Sequence, residues 1–318
     1  MASIKDLKKR IGSVKNTQQT TRAMKMVSAA KLRRAQEAIQ NQRPYAKRIG
    51  DLIREVSQGL SGTEKYPLIR REKPADGTDS KKVLVVLVTS DRGLCGGFNG
   101  NALKACQKWI LANQNGAEIE LAFVGRKGYE FFKNKKVKLG TYFSEAGGKV
   151  SFAKANVVAT ALVEKYLNAD VDEVKFIYNE FKNAVTQKVV VEDFLPLLGD
   201  SSTETASAAS PASAPDFIIK PSKQDVLVSL LEKNFAIQTF RILLESQAGE
   251  HGARMSAMEN ATKNAGEMIK KLTLLYNKQR QAGITKELLE IISQMPLAEL
   301  NIRVPISFIA LSNPAIKS

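Results

Sequence analysis

Histidine, cysteine and tryptophan are scarce: the 318 residues hold one, two and one of them, respectively. With His251 as the single histidine, neither a zinc cluster nor a histidine-based catalytic pair is expected. Cys95 and Cys106 cannot build a disulfide framework and lack metal-ligand spacing, which suits a reducing compartment. No run of eighteen apolar residues occurs, so no membrane span is expected. The opening MASIKDLKKRIG has neither an apolar core nor a cleavage site, which argues against a secretory signal or a transit peptide. Phosphate-binding signatures are missing as well. GxxxxGK[ST] does not occur, Gly93, Gly96, Gly97 and Gly100 do not spell GxGxxG, and Gly125-Arg126-Lys127-Gly128 has no hydroxyl residue to hold magnesium.

What the chain does have is periodicity. From Ile4 a seam recurs in alternating steps of three and four: Leu7, Ile11, Val14, Gln18, Thr21, Lys25, Ser28, Leu32, Ala35, Ile39, Gln42, Ala46, Ile49, Ile53, Val56 and Leu60. About eight heptads of this kind require a partner helix. A second seam, Met258, Ala261, Ala265, Met268, Leu272, Leu275, Gln279, Ala282 and Leu289, can supply it from the same chain. At about 1.5 Å per residue the first arm would reach about 85 Å. Gly249, Gly252, Gly266 and Gly283 each cost the second arm about 1 kcal/mol relative to alanine. They call for close approach by a neighbour, or they mark bends.

Between the arms the composition becomes that of an α/β domain. Ser61 to Lys82 holds Pro67, Pro74 and the pair Asp76-Gly77, and reads as a boundary loop. Val83 to Val88 is a continuous apolar run, as in a strand buried on both faces, and a glycine-rich turn and a helix follow it. Further strands are expected at Ile119–Val124, Val174–Tyr178 and Lys188–Phe194, with Phe217–Lys220 as a last one. Helices are expected at Lys127–Phe132 and about Ser151–Leu167. The reading is an α/β fold: a long antiparallel two-helix coiled coil formed by the terminal arms, plus a central Rossmann-like α/β domain with a mainly parallel sheet. Its parts are an arm at 1–60, a central domain at 61–221 with a flexible loop at 199–215, a second arm at 222–292 and an extension at 293–318.

Three features bear on function. The turn Ser90-Asp91-Arg92-Gly93-Leu94-Cys95-Gly96-Gly97-Phe98-Asn99 places a thiol on a glycine-rich elbow, where a nucleophile could sit. Its base is missing, so a tight strand-to-helix turn is the better reading and a thiol enzyme on Cys95 the weaker one. Residues 1–58 carry fourteen lysines or arginines against four acids, a net charge of +10. That balance fits nucleic acid, a solvated face, or an acidic protein partner. Finally, Gln18, Thr21, Lys25 and Ser28 fill four consecutive seam sites with polar residues, which weakens a coiled coil. Ala23, Met24, Met26, Val27, Ala29 and Ala30 beside them move hydrophobicity to the outside, as where a partner grips.

Several long motifs in register resemble the γ-subunit family of the rotary proton-translocating ATP synthase. They are NTQQTTRAMKMVSAAKLRRAQ (Asn16 to Gln36), Arg43-Pro44-Tyr45, SDRGLCGGFN (Ser90 to Asn99) and the block from Glu245 to Ile291. The resemblance implies a noncatalytic central-stalk rotor with no cofactor and no bound metal. The arms would form a shaft inside a ring of α and β subunits. The α/β domain would form a foot on the membrane-embedded c-ring beside the ε subunit. By the same resemblance Met24, Lys25, Met26 and Val27 lie near the lever loops of β. Arg280 and Gln281 would be held by a higher loop of β, with Thr285 and Glu287 in the adjoining segment. Ser90, Asp91, Arg92, Gly93, Cys95, Gly96 and Gly97 would form the foot turn close to β and ε.

The acidic lever loop expected on β gives the basic arm a protein partner, and leaves a basic coiled-coil nucleic-acid-binding protein as the alternative. The plant and algal regulatory insertion has no counterpart here, so a peripheral protein on the cytoplasmic face of a bacterial plasma membrane is expected. The family ends soon after a segment like Ile284 to Ile292, whereas this chain continues. Pro296, Pro305 and Pro314 preclude simple helical continuation, and Ile302 to Leu311 is apolar enough to want cover.

Overall fold

The computed structural model describes residues 3–58, 67–69, 81–144, 150–183, 186–197 and 222–294. The loop expected at 199–215, the strand expected at 217–220 and the chain beyond Gln294 lie outside the described residues. In order, the elements are α1 (Ile4–Gln58), β1 (Lys81–Val88), α2 (Phe98–Asn113), β2 (Ala117–Val124), α3 (Arg126–Phe132), β3 (Lys138–Phe143), α4 (Phe152–Leu167), β4 (Glu173–Phe181), β5 (Gln187–Leu195) and α5 (Lys223–Gln294). They fall into two compact units, one of residues 19–262 and the other of residues 1–18 with 263–318.

The larger unit is built on a five-stranded sheet of order β3-β2-β1-β4-β5. β1 pairs parallel with both β2 and β4, and β2 pairs parallel with β3. β5 pairs antiparallel with β4, because the short connection between them leaves no length for a crossover. The valine-rich β1 is central, and its side chains alternate between two cores. Leu84, Val86 and Val88 join α4, the end of α1 and the start of α5, while Val83, Val85 and Leu87 join α2 and α3. Burial on both faces is why this strand reads as unbroken apolar sequence from Val83 onward. Its six residues from Val83 to Val88 are all at most 3% exposed.

β3 is an element that the sequence did not announce. Its residues KLGTYF alternate poorly and include a lysine and a glycine, and only pairing with β2 defines it as an edge strand. α4 begins as expected, with the Ser151 hydroxyl accepting the N–H of Lys154 as its N-cap. α1 continues through Pro44, which lies on the exposed side, where water can serve the carbonyl left free by the missing N–H.

Within the larger unit α1 and α5 run antiparallel. The Thr21 and Thr262 hydroxyls meet at 2.8 Å, Lys25 pairs with Glu259 at 2.6 Å, and the Gln42 side-chain amide donates to the Ile237 carbonyl at 3.0 Å. Leu32, Ala35 and Ile39 pack with Leu244 and Ala248 in a core of their own. In the smaller unit the same sense of pairing brings Gln18 to Gly266 and Ile4 to Gly283.

Candidate functional site

The Ser90–Asn99 turn sits at the C-terminal end of β1, between β2 and β4, where an open α/β sheet ordinarily offers a ligand crevice. Here the chain fills that position with its own side chains. The buried Ser90 hydroxyl donates to the Arg92 carbonyl at 2.6 Å. The Ser90 N–H donates to Asn99 Oδ1 at 3.0 Å, and Asn99 Nδ2 donates to Ser90 Oγ at 2.8 Å and to Cys95 Sγ at 3.3 Å. Leu94 and Gly96 both take positive φ, 62° and 57°, which closes the turn before α2. From the neighbouring loop, Asp91 accepts the Arg126 N–H at 3.0 Å and the Ser90 carbonyl accepts the Lys127 N–H at 3.1 Å. At Gly125, φ is 92° and a Cβ would overlap the Thr89 carbonyl, so this close crossing requires glycine.

α5 then caps the turn. Arg254, 8% exposed, donates to the carbonyls of Arg92 and Gly93 at 3.4 and 3.3 Å and pairs with Glu250 at 2.7 Å. Its Nη1 lies 3.3 Å from His251 Nδ1. Burial first, then the charges of Arg254 and Lys31, hold the His251 pKa down at about 4. Burial raises the pKa of Glu250, against the lowering effect of Arg254. Gly249 allows this contact, since a Cβ there would come within 3.3 Å of the Phe98 ring and of Gln187. Cys95 is 2% exposed. Among the described residues its sulfur meets Ser90, the Arg92 carbonyl and Asn99, a set that holds a turn together and supplies no base. Cys106 is deeper still, and burial pushes its pKa up to about 12.

A second clamp between α5 and the sheet was not legible in the sequence. Arg241 pairs with Glu192 of β5 and with Glu245 at 3.4 Å, and donates to the Tyr178 hydroxyl at 3.3 Å. Tyr178 in turn donates to Glu192 at 2.6 Å. The Arg241 pKa is raised although burial opposes this, because Glu192, Tyr178 and Glu245 surround it. These four residues come from three elements, and no local motif links them.

Along α1 the expected seam faces inward from Leu7 to Val56, whereas Ile4 is 37% exposed and Leu60 lies outside the described residues. Leu32, Ala35, Ile39, Gln42, Ile49, Ile53 and Val56 are buried, and so is the polar Ser28. Thr21 and Lys25 are matched by polar partners on α5, so the polar stretch is paired. Met26 and Val27 are 62% and 56% exposed, whereas Met24 and Lys25 are half-buried.

On α5 the expected seam needs correction at every second step. Met258, Ala265, Leu272 and Gln279 face inward, but Thr262, Ile269, Tyr276 and Gly283 are the more covered residues in place of Met268, Leu275 and Ala282. Ala261 shares its step with Thr262. Choosing by apolarity favoured Ala261 and Ala282 over Thr262 and Gly283, which meet α1 directly, and placed Met268 and Leu275 one residue ahead of the covered Ile269 and Tyr276. Leu289, also assigned to the seam, is 62% exposed. Arg280, Gln281, Thr285 and Glu287 are exposed in the smaller unit, beside exposed Ile284, Leu288, Ile291 and Ile292. The Thr285 hydroxyl donates to the Gln281 backbone carbonyl one turn earlier in the helix, at 3.0 Å.

Comparison with known proteins agrees with this architecture. A family described as ATP synthase matches residues 3–295. The chain is 46% identical over 294 residues to the ATP synthase gamma chain of Geobacter metallireducens and 44% identical over 295 residues to that of Bdellovibrio bacteriovorus. In each case 92% of this chain and 98% of the relative are covered. Among solved structures, the central stalk and c-ring of the Tetrahymena thermophila mitochondrial ATP synthase has a similar chain, at 26% identity and TM-score 0.54, covering 76% of this chain and 99% of that one. The rotor of the Euglena gracilis mitochondrial enzyme shares the fold at 20% identity and TM-score 0.56, covering 88% and 98%. With near-complete coverage by such relatives, and with the paired terminal helices and capped α/β sheet that the structure displays, this chain belongs to the ATP synthase gamma-chain family.

Proposed function

We infer that the chain is the central-stalk rotor subunit of a proton-driven ATP synthase, coupling rotation of a c-ring to conformational cycling of catalytic β subunits. It does no bond chemistry itself. The observation that carries this reading is the distribution of exposed apolar residues on helices that are otherwise paired. Polar residues occupy the α1–α5 seam at Thr21 and Lys25, while Met26 and Val27 face out. Ile284, Leu288, Leu289, Ile291 and Ile292 are likewise exposed on α5. Such surface needs cover, and a ring of α and β subunits around the helices provides it.

In this reading Met24, Lys25, Met26 and Val27 touch the lever loops of β, and Arg280, Gln281, Thr285 and Glu287 meet a second loop. The Ser90–Gly97 turn and the sheet form the foot, with ε and the c-ring as neighbours. The mechanism is a difference in contact free energy. A β subunit changes state only as far as the face of the stalk presented to it favours one state over another, with each 1.4 kcal/mol worth a factor of ten. The Arg241 and Arg254 clamps serve this by fixing α5 to the sheet, so that torque applied to the foot reaches the helix. No helix among the described residues is long and apolar enough to cross a membrane. In this reading attachment is peripheral, through the c-ring, on the cytoplasmic face of a bacterial plasma membrane. The test is depletion and return: membranes stripped of the chain should lose ATP-driven proton pumping and regain it when the chain is added with α and β. Pumping without the chain would overturn the reading.

A further inference from the structure

The two helices on one face of the sheet carry a one-sided charge that the stalk reading does not use. Residues 98–113 and 126–137 hold seven lysines or arginines against a single carboxylate, Glu130, which pairs with Arg126 and Lys127. α4, on the opposite face, is nearly balanced, with Lys154 and Lys165 against Glu164. Lys104, Lys108, Lys133 and Lys136 are exposed and have no ion-pair partner among the described residues.

These four lysines form one patch. Lys104, Lys108 and Leu111 follow at helical spacing along the outer stripe of α2. Gln107, next to that stripe, accepts a hydrogen bond at 3.2 Å from Lys135, which lies between Lys133 and Lys136. Lys135 also stands 3.8 Å over the Phe131 ring, and Phe131 and Leu111 are 39% and 58% exposed. From Lys104 in the first half of α2 the patch extends to the edge of the sheet where the parallel strands begin: Lys136 is two residues before β3, and Trp109 shares a cavity wall with Lys81 and Ala117 at the starts of β1 and β2. Within the same unit, the capped turn and the Lys25–Glu259 and Thr21–Thr262 pairs lie toward the other edge.

We propose that this patch rests on anionic phospholipid headgroups. The proposal deepens the central-stalk reading, from which it takes the nearness of a membrane. Unpaired lysines are point charges on flexible stems, suited to a diffuse anionic surface, whereas a fixed protein carboxylate is better held by the fork of an arginine. The four free cations are all lysines. Phe131 and Leu111 among them supply the apolar contacts that settle into a headgroup layer.

The basic first arm would also adhere to anionic vesicles, so the readout must be local. Trp109, the single tryptophan, lies on α2 beside Lys108 and provides it. The full-length chain is titrated with phosphatidylglycerol/phosphatidylcholine vesicles containing a lipid with a nitroxide on its headgroup, which quenches indole at contact range. Quenching is expected with these vesicles, not with phosphatidylcholine alone, and should be reversed by high salt. The variant Lys104→Gln/Lys108→Gln/Lys133→Gln/Lys136→Gln should need at least tenfold more lipid for the same quenching. Lys5→Gln/Lys8→Gln/Lys9→Gln/Lys15→Gln, on exposed sites of α1, should stay within twofold of the parent. No quenching of the parent, or equal losses in the two variants, would overturn the proposal. So would a foot variant that quenches normally but binds the isolated ring more weakly, which would assign the patch to an acidic protein surface. Failure of the stalk reading would show separately, in the proton-pumping assay.

Discussion

Replacing Arg254 with methionine keeps most of the length of the side chain and removes the cation that caps two carbonyls and neutralises Glu250. A carboxylate left buried without its partner is costly, so Arg254→Met should lower stability by about 3 kcal/mol in denaturant titration. A loss below about 1 kcal/mol would mean that water already serves those carbonyls. His251 beside it gives the fold an acid-sensitive component. With its pKa held at about 4 in the fold against an ordinary 6.5, the histidine stays neutral while the unfolded chain gains a proton as pH falls below 6.5. Stability from this group is present above pH 6.5 and lost between 6.5 and 4, about 2 kcal/mol of it by pH 5. Glu250, with its raised pKa, acts in the opposite sense, and Arg254, Lys31 and Asp91 complete the charged surroundings. His251→Gln should therefore melt with a smaller drop between pH 7 and pH 5 than the parent. An unchanged drop would remove the histidine from the acid response.

At the scale of elements, the corrected α5 seam distinguishes neighbours. Ile269 is partly covered while Met268 is 46% exposed, so Ile269→Lys should lower the melting temperature by several degrees and Met268→Lys should scarcely change it. The reverse order would restore the register read from apolar residues alone. That register shows what a single sequence reveals about this fold. The α1 seam was legible because leucine, isoleucine and valine mark most of it, and β1 was legible because burial on both faces leaves no polar residue from Val83 to Val88. The α5 steps at Thr262 and Gly283 were hidden, since a hydroxyl pair and a missing side chain make close contacts that hydrophobicity does not record. β3 was hidden for a related reason, as an edge strand whose only definition is its partner. Of the candidate site, the turn and the exposed Met26 and Val27 could be read locally. The Arg241 clamp, joining residues distant in sequence, could not.

At the scale of the whole molecule, coupling should depend on residues that do nothing for folding. Arg280 and Gln281 are exposed, so Arg280→Ala/Gln281→Ala should leave the melting temperature of the chain nearly unchanged while reducing ATP synthesis by the assembled complex severalfold. Full synthesis in that variant would remove the pair from the mechanism. Lys25→Glu should impair synthesis more than Lys25→Ala, because a second carboxylate would face both Glu259 and the acidic loop proposed for β. Within the chain the Lys25–Glu259 pair is solvent-exposed and worth at most about 1 kcal/mol, so a large difference between the two variants would come from the partner. Equal effects would make charge at this position irrelevant.

The central claim is that this chain turns as a unit inside a ring of catalytic subunits. Val157 on α4 is 65% exposed, and both native cysteines are buried, so Val157→Cys accepts a single probe. With α and β anchored to a surface and a bead or rod attached at that position, ATP should drive unidirectional rotation in three equal steps per turn, one for each β subunit. Steady ATP hydrolysis by the assembled complex with the probe stationary would contradict the account.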